Sequence, residues 1–143
     1  HFMNFIRISQ DIHIQNYLGT DLFNRLKASI TAGDTTANEL ILLGYVQDAL
    51  LHFALAEYYP FANYSLGNGG IFQHQPEDSQ IASSEEVDKL AQKERDYAEY
   101  YLSRLVHYLK HNSSLFSQYT SNTDEDITPS SNINYTGGWY LGD

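Results

Sequence analysis

A chain of 143 residues with 42% apolar side chains suits one globular domain, able to bury roughly 70% of the surface its unfolded form exposes without help from metal or disulfide. It holds no cysteine, which excludes disulfide frameworks, thiolate metal sites and cysteine nucleophiles. Eight basic residues stand against eighteen acidic ones, a net charge of -10, and the cations are scattered from Arg7 to Lys110 rather than clustered, which excludes tight binding to nucleic-acid phosphates.

The first segment, Asn4 to Leu18, predicts a helix with Phe5, Ile8, Ile12 and Leu18 turned inward. Its start has no signal-peptide pattern, and no run in the chain approaches the ~20 apolar residues of a membrane span. Within IQNYLGTDLFNRL, Gly19 and Thr20 interrupt the apolar spacing. Gly suits a helix end, and Thr20 with Asp21 supplies a capping hydroxyl and a first-turn carboxylate for the next helix, so a tight corner is expected. A short second helix follows from Thr20 to Thr31.

Thr36 and Glu39 then have the spacing of a capping box. They open the most apolar segment, ELILLGYVQDALLHFALAEYY, whose apolar residues run nearly all round. It should be the central helix, covered by the other helices or by a neighbouring subunit, and ended by Pro60. Residues 61–79 change character around GNGG and read as a small β-hairpin or projecting loop, with Leu66, Ile71 and Phe72 as its apolar tips. Ser83 and Glu86 suggest a second box. It opens a long helix to His111 with Val87, Ala91, Glu94, Ala98, Tyr101, Leu105 and Tyr108 on one stripe, Glu94 being the odd member. Residues 112–143 hold four acidic and no basic residues and read as an extended tail whose Ile133, Tyr135, Trp139, Tyr140 and Leu141 can dock elsewhere.

The fold class expected is therefore all-α, a bundle of about four helices over residues 1–111 with an insertion at 61–79 and a tail at 112–143. Chemistry is nearly silent. His107 and His111 share a helix face but lack a third ligand, so a solvated helix end explains them better than a metal. Asp48, His52 and Glu57 form a polar strip on the central helix, with Asp48 and His52 spaced to pair. Glu94 beside them lacks the Glu-x-x-His pattern of di-iron bundles. GNGG is not followed by the Lys-Ser/Thr of a phosphate loop, and no GxSxG elbow is present. No cofactor, metal or catalytic residue is assigned.

The segments FIRISQDIHIQNYLGTDLFNRL, ALLHFALAEYYPFAN, GNGGIFQ and RDYAEYYLSRLVHYL, taken in order, resemble a family of small phage and prophage proteins, the head-to-tail connectors also called head-completion or adaptor proteins. The likeness spans residues 5–111. It implies a non-enzymatic subunit that forms a ring with copies of itself at the portal vertex, touches portal or tail proteins, and belongs to the virion after assembly in the host cytoplasm. More chain upstream of the first helix would also be expected of such a protein. An acidic channel wall suits DNA that must slide past without lodging. The contact residues expected are Leu66, Ile71 and Phe72 on the insertion and Tyr135, Trp139 and Tyr140 on the tail. The alternative is a small-ligand or regulatory binding domain with a groove lined by Tyr45, Tyr58 and Tyr101.

Overall fold

A computed structural model describes the backbone of residues 2–67 and 83–132, and the side chains of 2–62 and 83–132. The fold is all-α, with no strand among the described residues. Helix α1 (Phe2–Ser9) leads through a π-helical turn, Gln10–Ile14, into α2 (Gln15–Leu18), and α3 (Thr20–Ala32) follows after a corner at Gly19. The long helices α4 (Ala37–Gly67) and α5 (Ser84–His111) pack side by side as the main body. A 3-10 turn, Ser113–Leu115, and the short α6 (Ser117–Thr120) complete the order.

Leu18, Leu22 and Leu26 from the corner helices meet Leu42, Val46, Ala49 and Phe53 of α4 and Ala98, Leu102, Leu105 and Leu109 of α5. These spacings of three and four residues place one face of each helix in a common interior. Both expected capping sites form. Thr36 N–H donates to Glu39 Oε1 at 2.9 Å and Glu39 N–H to Thr36 Oγ1 at 3.2 Å, while Glu86 N–H donates to Ser83 Oγ at 3.1 Å.

Three expectations are corrected. Ile8 and Ile12 point outward, at 42% and 52% exposed. Ile8 lies in α1, whose inward side is taken by Phe2, Phe5 and Ser9; the π turn then inserts an extra residue, so the next buried position is Ile14 and Ile12 is left outside. Pro60 does not end the central helix, which continues to Gly67 and takes Leu66 into its last turn. Tyr58 packs edge-on against Phe2 and Phe5, at 5.4 and 5.6 Å between ring centroids, and Phe5 lies 5.2 Å from Phe61. This aromatic clamp carries the helix past a proline whose own side chain is exposed. Residues 61–67 are thus helical rather than the first arm of a hairpin; Ile71 and Phe72 lie outside the described residues.

The tail is corrected in its first half. Phe116 is 2% exposed within the core, and residues 121–132, without helix or strand, run along the body. Tyr135, Trp139 and Tyr140 lie outside the described residues.

Candidate interaction surfaces

The corner at Gly19 explains why the segment after α6 is held. Gly19 has φ +79° and ψ 159°, a region closed to residues bearing a Cβ. A Cβ there would also stand 2.6 Å from Cγ of Pro129. Gly19 is the N-cap of α3 and has no side chain to satisfy the helix's first donors. The distant segment supplies the acceptors: Thr20 N–H donates to the Ile127 carbonyl at 3.0 Å, and Asp21 N–H to Asn122 Oδ1 at 3.0 Å.

Thr20 therefore does not cap α3 with its hydroxyl, contrary to expectation. Its Oγ1 accepts from Ile127 N–H at 3.1 Å and from Gln15 Nε2 at 3.0 Å, and faces Asp126 Oδ2 at 3.3 Å. Asp21 Oδ2 accepts from Thr123 N–H at 2.7 Å. Further along, Ser130 N–H donates to the Asn16 carbonyl and Tyr17 OH to that of Asn132 at 2.9 Å. Burial, with Glu99 nearby, pushes the Tyr17 hydroxyl above its ordinary value, so it remains a donor. The corner and residues 121–132 form a closed structural lock.

The ionisable groups of the central helix go to three separate places. Asp48 is exposed. His52 does not pair with it but meets Glu94 of α5, Nδ1 to Oε2 at 2.5 Å, with its ring stacked on Tyr101 and tilted against Tyr97. That partner accounts for the carboxylate in the apolar stripe of α5. Glu57 meets His13 Nε2 at 3.2 Å, and the His13 ring stacks on Phe53 at 4.1 Å. The two His–Glu pairs brace neighbouring helices rather than converge on one site. Arg25 of α3 grips Glu39 of α4 through Nε at 2.9 Å and Nη2 at 3.1 Å. Hydrogen bonds from Arg25 and then from Thr36 hold the Glu39 carboxyl below its ordinary value despite its burial.

Tyr45, Tyr58 and Tyr101 do not wall a common groove. Tyr45 and Tyr58 are thirteen residues apart on α4, a rise of about 20 Å. Tyr45 stacks on Tyr108 at 4.7 Å, Tyr101 stacks on His52, and Tyr58 packs edge-on against the α1 aromatics. His107 and His111 line one shallow hollow at the end of α5, and no group of three metal-ligating side chains occurs among the described residues.

What remains open is the outer side of α4 and α5. Leu40, Ile41 and Leu51 are 50–60% exposed on α4. Gly44 lies between them, and a Cβ added there would meet nothing within 4 Å. Two adjoining hollows follow this face. One, of 390 Å³, is lined by Ile41, Gly44, Tyr45, Gln47, Asp48 and Arg104; the other, of 380 Å³, by Tyr45, Arg104, His107, Tyr108, His111 and Asn112. They meet where the Arg104 guanidinium lies over the Tyr45 ring, 5.9 Å from its centroid. Residues Ala37–Ala62 are long and apolar enough to cross a membrane by length and composition, as core helices also are, yet only 44% of their most apolar 18-residue stretch is buried within the chain. A count of unbroken apolar runs misses this, because Gln47, Asp48 and His52 interrupt the segment. Sequence did mark α4 as apolar on all sides; which side would stay uncovered depends on packing.

The profile of one protein family, described as a family of unknown function (DUF6712), matches residues 14–128. The matched region includes both sides of the lock, Thr20 and Ile127. No curated protein and no solved structure matches the chain.

Proposed function

Since the chain belongs to the DUF6712 family, whose function is unknown, its task must be read from its own surfaces, and we propose that it is a structural adaptor of a phage or prophage particle. In this proposal it is a head-to-tail connector that assembles with copies of itself into a ring at the portal vertex. The single observation that carries the self-assembly is the outer face of α4, apolar as a surrounded helix should be but, among the described residues, covered on one side only. The connector assignment adds the likeness of the ordered segments over residues 5–111. The work is mechanical: the subunit contacts portal or tail proteins, acts without a cofactor, and lets DNA pass a ring whose chains each carry a net charge of -10.

Leu66, Ile71 and Phe72, with Tyr135, Trp139 and Tyr140, are proposed as contacts to the neighbouring proteins. The test is made in cells producing the particle. A tagged chain should cosediment with assembled heads, and Phe72→Ala/Trp139→Ala should leave the helical circular dichroism of the purified chain unchanged while depleting it from particles several-fold. A chain absent from particles, or a double variant incorporated as well as the parent, would refute the respective assignment.

A further inference from the structure

The open face also has a polarity, and α5 carries both ends of it. Over its 28 residues, about 40 Å, the two ends of the helix differ in charge, with a mixed stretch holding Lys93 and Arg95 between them. The first turns expose Glu85, Glu86 and Asp88 against a single cation, Lys89, beside Leu90, which is 52% exposed. The last turns expose Arg104, His107, Lys110 and His111. In a chain with eight basic residues, two of them and two histidines gather here, against one carboxylate, Asp48, lining the hollows. Arg104 makes no ion pair among the described residues; its guanidinium rests on Tyr45. Beside it lie exposed Ile41 and the bare backbone of Gly44.

From this pairing we infer that the hollow at Tyr45 and Arg104 receives the acidic first turns of α5 from a second copy of the same chain, with Leu90 seated against Ile41 and Gly44. The occupant is argued from charge complementarity and from shape. A helix end bearing three carboxylates against one lysine, Lys89, and one exposed leucine is net acidic and matches a groove with a cationic rim and an apolar floor, and the absence of a Cβ at position 44 gives the incoming helix room to approach. A bilayer would cover Leu40, Ile41 and Leu51 equally well, but it would strand Gln47, Asp48 and Arg104, which line the same hollow. Because donor and acceptor surfaces are different patches of one molecule, the contact is heterologous. Repeated, it closes into a ring or runs on as a filament. The inference rests on the adaptor proposal for its purpose but not for its geometry.

The experiment uses the full chain in sedimentation velocity at low and high salt. Wild type should associate with increasing concentration, and added salt should weaken this, since the rim charges are exposed. Ile41→Ser/Arg104→Ala removes the groove, and Glu85→Gln/Asp88→Asn/Leu90→Ala removes the helix end. Each variant alone should show association weakened about tenfold or more, with unchanged circular dichroism. Mixed, each supplies the surface the other lacks, so the two should form 1:1 dimers that grow no further.

A wild-type chain that remains monomeric up to about 1 mM, a variant that assembles like wild type, or a mixture no more associated than its components would each overturn the contact. Flotation of wild type with lipid vesicles, lost in the Ile41→Ser/Arg104→Ala variant, would assign the face to lipid and overturn it as well. The cosedimentation test with particles is independent, so the adaptor proposal can survive the loss of this contact, and the contact can survive a chain found outside particles.

Discussion

The corner at Gly19, a helix end where glycine is expected, and the outer face at Gly44, a helix interior where it is not, resolve differently. At Gly19 every consequence is answered inside the chain: the positive φ, the Pro129 ring filling the space where a Cβ would be, and the orphan amides taken by Ile127 and Asn122. At Gly44 none of the described residues answers. The residue sits inside α4, its backbone torsion is ordinary, and the space beside it is open. A local oddity explained by the chain's own packing belongs to the fold; one left without an internal reason, among exposed apolar neighbours, directs attention to what lies outside.

The largest effect separating the two regions is expected from Gly19→Ala. The new Cβ meets both a forbidden backbone region and the Pro129 ring, and the variant should lose on the order of 3 kcal/mol in denaturant unfolding. Pro129→Ala placed in the same chain should recover the steric part but not the backbone part. If Gly19→Ala costs as little as a surface substitution, the lock is not structural, and residues 121–132 are held less firmly than their hydrogen bonds imply.

Several pieces of that lock could be read in the sequence, and the rest depended on distance along the chain. The corner, the Thr36–Glu39 box and the Ser83 cap were legible because each is decided within a few residues, where spacing alone tests the geometry. Thr20 was misassigned because its partner, Ile127, is 107 residues away. The inward placement of Ile12 failed on one π turn, which no propensity announces, and that of Ile8 on the phase of α1, where Phe2, Phe5 and Ser9 take the inner side. His52 was matched to Asp48 one turn back on its own helix, whereas Glu94, already odd in its own stripe, was its partner across the α4–α5 interface. Pro60 weighed too heavily because the Phe2, Phe5, Tyr58 and Phe61 cluster that holds the helix around it is a tertiary feature.

A second, smaller effect tests the half-buried ion pair that ties α3 to the start of α4. Glu39→Gln keeps the shape but loses the charge that Arg25 and Thr36 hold, and should cost about 1.5 kcal/mol at neutral pH. Because the folded carboxyl titrates below its ordinary value of 4.5, this stability is fully present above that value and is lost as pH falls through the folded one. The gap in Tm between wild type and Glu39→Gln should therefore be widest near pH 7 and close in acid. A gap that stays constant with pH would mean that shape rather than charge sets the contribution of Glu39.

The smallest effect carries the most information about the open face. Alanine is the better helix former, and at an exposed interior position with nothing within 4 Å of the new methyl, Gly44→Ala should raise the stability of the isolated chain by about 0.5–1 kcal/mol. The same methyl would occupy the approach path of a second copy. Stability and association should then move in opposite directions, a signature that a damaged fold cannot produce, because a variant that loses self-association by unfolding would also melt earlier. A variant that is more stable and associates as well as wild type would make Gly44 an ordinary surface glycine, and the incoming helix would have to contact the face elsewhere along α4.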